Sequence, residues 1–137
     1  MSPEQVIGEE IDLRSDIYSL GAVAYFLLTG KTPFDGPNAL AVMYARLKQP
    51  VPVPTRQRPD VPPDVERIVL RCLARERSDR FDDALSLQRD LSQCDCASEW
   101  DGERAALWWE QEDWRSSTPA ALQPTKFATP GPTPSDA

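Results

Sequence analysis

The chain has 137 residues, a formal net charge of −7, three cysteines and no histidine, with 40% hydrophobic and 27% charged residues. That length allows one domain with a modest core, and the acid excess argues against an electrostatic nucleic-acid footprint. The lack of histidine removes the commonest general base and metal ligand, and Cys72, Cys94 and Cys96 alone are too few for a zinc site.

The first ten residues carry three glutamates and no basic residue, so no signal peptide is expected. The first predicted helix runs from about Ser15 to Thr29, with Ser15 as N-cap, Asp16 near the positive end of the helix dipole and Gly30 as the stop. Its apolar residues fall on every face, which predicts a position at the centre of the fold. The apolar run Leu20 to Leu28 within it is far shorter than the ~20 residues that span a bilayer. No membrane segment is expected, and a cytoplasmic location with reduced thiols, Cys72 among them in a core, fits the composition.

After the turn-rich loop "GKTPFDGPN", a second helix is predicted over about Ala39 to Gln49, with Leu40, Met43, Tyr44 and Leu47 on one stripe. Six prolines between Pro50 and Pro63 predict an extended connector. A third helix follows over about Pro63 to Ala74, where Val65, Ile68, Val69, Cys72 and Leu73 keep helical spacing behind a first-turn proline. A fourth, about Asp83 to Cys94, is predicted to be capped by Asp82 and to turn Ala84, Leu85, Gln88 and Leu91 to one side. Strand signals are nearly absent, so the body is expected to be mainly α.

Composition changes after Ala97. Residues 97 to 114 hold all four tryptophans, with six acidic residues against one arginine, and Trp100, Leu107 and Trp114 are spaced to share one side of a short helix. Such a segment packs its tryptophan stripe on the preceding body as a short helix, binds a partner as an amphipathic helix in a groove, or is disordered. From Ser116 on, five prolines and seven Ser or Thr in 22 residues predict a disordered tail, in which Thr118, Thr129 and Thr133 each precede a proline.

"MSPEQ", then "SDIYSLGAVAYFLLTGKTPFDG", then "RSDRF" ahead of the fourth helix, resemble in that order the carboxy-terminal lobe of eukaryotic-type serine/threonine protein kinases in their bacterial form. The resemblance covers roughly residues 1–93. It implies a kinase C-lobe piece over 1–96, running from the end of the activation segment through the last helix and lacking the upstream partners of the central helix. An acidic tryptophan-rich helical segment over 97–115 and the tail over 116–137 follow. Ser2 to Glu4 resembles the Ala-Pro-Glu that closes a kinase activation segment. Met1 then matches an internal family position, so that either the start is placed late or the gene is a fragment.

The resemblance assigns roles to particular residues. Glu4 pairs in the family with an arginine before the last helix, here Arg80; such a bidentate bond would clip an amino-terminal strand to the far end of the piece. Asp16 matches an acid that receives backbone hydrogen bonds from the catalytic loop. No such loop is present in this sequence, so Asp16 is expected to serve only its own helix terminus. Met1, Ser2 and Pro3 border the family's substrate pocket. Leu40, Met43, Tyr44 and Leu47 offer a core stripe and, alternatively, docking residues.

The parts that perform phosphoryl transfer are missing. There is no GxGxxG, no His-Arg-Asp and no Asp-Phe-Gly, and Lys31, Lys48 and Lys126 stand in no Val-Ala-Ile-Lys context. Phe34 to Gly36, "FDG", belongs to the family's structural turn and is not a metal ligand. ATP and magnesium are the parent family's cofactors; none is expected to bind this chain. Two functions are therefore expected. One is part of a serine/threonine kinase, inactive alone, whose parent phosphorylates protein substrates. The other is a non-catalytic, pseudokinase-type module that binds kinases or their substrates. In either case, exposed apolar helix faces are expected to favour self-association.

Overall fold

A computed structural model describes residues 1–111. Contacts divide the chain after Glu99, and the described part of the second unit is Trp100–Gln111. Trp114, the tail and its threonine–proline pairs lie outside the described residues.

The first unit is built from helices alone. A short helix, α1 (Pro3–Ile7), stands where an extended strand was expected. Pro3 suits a first helical position, the Gln5 Oε1 accepts the Ser2 N–H at 2.6 Å, and Gly8 closes the turn in the left-handed region at φ 74°. Next, α2 (Leu13–Thr29) starts two residues before the predicted point. Its cap is Asp12, whose carboxylate accepts the Arg14 N–H at 2.8 Å, rather than Ser15. Gly30, at φ 71°, ends it by donating its N–H to Phe26 O at 2.7 Å.

The helix α3 (Ala39–Lys48) is capped by Asn38, which accepts the Ala41 N–H at 2.9 Å. The proline-rich connector is not wholly extended. It contains one helical turn, α4 (Pro54–Gln57), with proline at its first position. Glu66, from the next helix, accepts the Thr55 N–H at 2.7 Å and so satisfies a terminal donor that the turn itself cannot. α5 (Pro63–Cys72) follows, and a 3₁₀ turn over Arg77–Asp79 leads to α6 (Ala84–Ser92). The cap of α6 is Asp83, accepting the Ser86 N–H at 2.7 Å. Asp82, the expected cap, is instead bonded to Arg14 at 2.6 Å. A second 3₁₀ turn spans Asp95–Glu99.

The core lies where α2 crosses α5. One cluster joins Ile17, Ile68, Cys72, Phe81, Leu87 and Cys94; a second joins Tyr18, Tyr25, Val69 and Leu73. Gly21 lets the two helices meet, since a Cβ built there would stand 2.6 Å from Cys72 Cβ and 3.2 Å from Leu73 Cγ. The expected α5 stripe is the buried one. Two other expectations are corrected. On α6 the inward residue is Leu87, while Ala84, Leu85, Gln88 and Leu91 are exposed. And α2 is not enclosed: Leu13, Leu20, Val23 and Leu27 are 50 to 73% exposed along one line of the helix.

In the second unit, α7 (Gly102–Gln111) begins after Trp100, so Trp100 is not on the helix that carries Leu107. Among the described residues there is no strand, and no helix is long and apolar enough to cross a membrane.

Candidate functional site

The most constrained polar group in the first unit is Arg80. The 3₁₀ turn ends by donating the Arg80 N–H to Arg77 O at 3.2 Å and leaves Arg80 in extended conformation, with its side chain directed under α1. Nη1 and Nη2 donate to Glu4 Oε1 and Oε2 at 2.8 and 2.9 Å. Nε donates to Ala74 O at 2.8 Å, Nη1 also to Arg14 O at 3.0 Å, and Nη2 also to Arg75 O at 3.0 Å. All five N–H groups of the guanidinium thus have acceptors. The ring of Tyr18 lies 4.9 Å from the guanidinium carbon.

Glu4 is 3% exposed and Arg80 1%. The Ser15 hydroxyl donates to Glu4 Oε1 at 2.5 Å. Burial by itself pushes the Glu4 carboxyl up, but the Arg80 guanidinium and the Ser15 hydroxyl outweigh it and bring its pKa down from 4.5 to about 2. The pair therefore joins α1, the first turn of α2 and the segment after α5 through one desolvated charge pair. Ser15 is a partner that sequence reasoning missed, because it reads equally well as a helix cap.

The other candidate residues are placed as follows. Asp16 is exposed on the first turn of α2. Ser2 and Pro3 are buried and Met1 is 55% exposed. Met1 is tied to α3, since Arg46 Nη1 donates to Met1 O at 2.7 Å. Met1, Tyr18, Val23, Phe26, Phe34 and Arg46 line an open cleft of about 620 Å³ between the amino terminus, α2 and α3. On α3 the core stripe is not as expected. Leu40 is 76% and Tyr44 61% exposed, Met43 and Leu47 are half-buried, and Ala45 is the residue turned inward. The structure thus brings Glu4 to Arg80 and the Met1–Pro3 segment to α3, and leaves Asp16 apart in solvent.

Phe34 is buried, and Asp35 accepts its neighbour Gly36's N–H at 2.8 Å, so "FDG" closes a turn. Lys31 Nζ donates to Gln57 Oε1 at 2.9 Å. Cys72 is buried and its thiol is pushed up to about 11 by that burial, which leaves it un-ionised and inert near neutral pH. Among the described residues no group of three or more Cys, Asp or Glu is placed to hold a metal.

No family model matches the chain. Its sequence is 45% identical over 92 residues to serine/threonine-protein kinase PknB of Mycolicibacterium smegmatis, covering 66% of this chain and 15% of that protein. It is 44% identical over 91 residues to serine/threonine-protein kinase PknL of Mycobacterium tuberculosis, covering 66% and 23%. It is 39% identical over 97 residues to serine/threonine-protein kinase pkn3 of Myxococcus xanthus, covering 69% and 18%. The chain therefore spans less than a quarter of the length of these curated relatives.

Proposed function

The chain is a homologue of bacterial serine/threonine-protein kinases over two-thirds of its residues, and on that premise we propose that it is the helical scaffold portion of such a kinase, with no phosphotransfer chemistry of its own. The observation that carries this reading is the Arg80–Glu4 pair, which ties together in the core two motif residues 76 positions apart in the chain. A parent polypeptide with the remaining machinery would transfer the γ-phosphate of ATP to Ser or Thr of protein substrates.

The residues present do not fit ATP or magnesium. Phosphoryl transfer rests on positioning and charge stabilisation by a phosphate-cradling loop, a lysine, a base and metal ligands. Lys31 is engaged by Gln57 and Asp35 by its own turn. Titration calorimetry with Mg-ATP and a radiolabel-transfer assay on the purified chain test this. Neither saturable heat nor label in a protein acceptor is expected, and either one overturns the reading. Translating the coding frame upstream tests the parent: His-Arg-Asp and Asp-Phe-Gly segments are expected there.

A second reading, a non-catalytic module that binds kinases or their substrates, is favoured by Leu40 and Tyr44, which project from α3 into solvent. Self-association through the open face of α2 belongs to both readings, and a cytoplasmic setting is proposed on the three cysteines, which are all free.

A further inference from the structure

A scaffold role gives the three cysteines nothing to do, yet the fold gathers them. Cys72 and Cys94 belong to one buried cluster, and the half-buried Cys96 packs against it. Cys94 and Cys96 also share one closed turn, because Ala97 donates its N–H to Cys94 O at 2.9 Å where the second 3₁₀ turn begins. Cα atoms two residues apart reach about 7 Å at most in extended chain, and a closed turn holds them nearer. A disulfide takes Cα separations of roughly 4.4–6.8 Å. Both side chains meet the same cluster, so joining them asks one turn to readjust and moves no helix.

The two thiols differ in access. Cys94 is 7% exposed, and its thiol donates to Asp90 O with Sγ 3.6 Å away. Cys96 opens onto a groove of about 430 Å³. Asp64, Arg67, Asp95 and Glu99 line that groove with it, three carboxylates against one guanidinium. Asp64 is fixed in place, since its carboxylate accepts the Val65 and Asp95 N–H groups, both at 2.8 Å. A small reagent therefore meets Cys96 first, and an anionic one is repelled on approach.

We propose that Cys94 and Cys96 form a dithiol modification site, oxidised to an intramolecular disulfide by a small disulfide that carries no negative charge. The Cys96 thiolate attacks one sulfur of the oxidant. The oxidant's S–S bond breaks, and the departing thiolate takes up a proton in place of the one Cys96 gave to water. The Cys94 sulfur, deprotonated in turn, attacks Cys96 Sγ and expels the second half of the oxidant as a thiol. Two protein thiols lose two electrons, and one small disulfide becomes two thiols. Forming the bond takes Cys94 Sγ away from Asp90 O, in the last turn of α6.

Peptide mapping of the full chain tests this. Trypsin places Cys94 and Cys96 together in Asp90–Arg104 and Cys72 apart in Cys72–Arg75. The reduced chain is treated with cystamine, then unfolded, alkylated with N-ethylmaleimide and digested. Asp90–Arg104 is expected to lose two hydrogens and take up no maleimide, while Cys72 is fully alkylated. Cystamine, a cation, is expected to react several-fold faster than oxidised glutathione, an anion, and salt is expected to narrow that gap. Cys96→Ser is expected to slow uptake of the oxidant by about tenfold, and Cys94→Ser to stop at a mixed disulfide on Cys96. The mapping and the salt series use the native chain, so they decide the matter whether or not the Cys94→Ser variant folds. A bond from Cys72 to either thiol, a disulfide between copies, or an oxidant adduct that persists on the native chain overturns the proposal. So does uptake unchanged by Cys96→Ser, or a ratio of the two rates that does not move with salt.

Discussion

Arg80 leaves no N–H unused, and this makes its removal more damaging than the loss of a surface charge. Truncation to alanine strands the Glu4 carboxylate and three backbone carbonyls in a dry site. Breaking a buried pair from one side costs ~3–5 kcal/mol, a large share of the ~5–15 kcal/mol that holds a domain together. Urea unfolding of Arg80→Ala is expected to show a loss of that size, and an unchanged midpoint would mean that the pair is not a structural clip. Acid should reveal the same group. Glu4 titrates near 4.5 when unfolded and at about 2 when folded, so its contribution is fully present above pH 4.5 and is lost as pH falls from about 4.5 to about 2. The gap corresponds to roughly 3 kcal/mol at neutral pH. Glu4→Gln is expected to flatten the stability profile in that window and leave its shape near neutrality intact. This pairing was legible because two motif residues far apart in sequence carry opposite charge in a known arrangement. The Ser15 hydroxyl and the three carbonyl acceptors were not, because such bonds depend only on where the backbone passes.

At the level of helices, Gly21 makes a counter-intuitive prediction. An alanine in a helix interior gains about 1 kcal/mol over glycine, yet a Cβ at position 21 would stand 2.6 Å from Cys72 Cβ. That contact belongs to two packed helices and cannot be relieved by turning a side chain. Overpacking of this kind costs ~1–3 kcal/mol. Gly21→Ala is expected to lower the thermal midpoint, and a rise would show that α2 and α5 have room to separate. The existence and order of the four main helices followed from periodicity and punctuation, because α5 and its neighbours obey helical spacing between clear stops. Their caps did not follow. Asp12 and Ser15 compete for one helix start, and Asp82 and Asp83 for another, and tertiary partners decide between them: Glu4 claims Ser15 and Arg14 claims Asp82. The inward faces of α3 and α6 were misread for a related reason. Each carries apolar residues on two sides, and only the neighbouring helices choose Ala45 over Leu40 and Leu87 over Leu85. The turn at α4 was hidden because its donor is satisfied by Glu66, eleven residues further on.

For the molecule as a whole, the open line on α2 is the feature that a stable monomer has to tolerate. Leu13, Leu20, Val23 and Leu27 follow spacings of seven, three and four residues, with Asp16 filling the remaining place, which is the seam of a helix that expects another helix beside it. Leaving large apolar side chains in water forfeits ~1.5–3 kcal/mol each, so the whole seam weighs as much as a domain's net stability. A second copy can cover the line at the cost of drawing the Asp16 carboxylates of both copies into the covered seam, so the association should be weak and strengthened by salt. Sedimentation velocity is expected to show mass rising with concentration. Leu20→Gln with Leu27→Gln, both substitutions by good helix formers, is expected to return the chain to a monomer without loss of helical circular dichroism. A monomeric chain that unfolds cooperatively at every concentration would show that the seam needs no cover. The scaffold would then stand by itself, which favours the free interaction module over the kinase portion that depends on its missing neighbours.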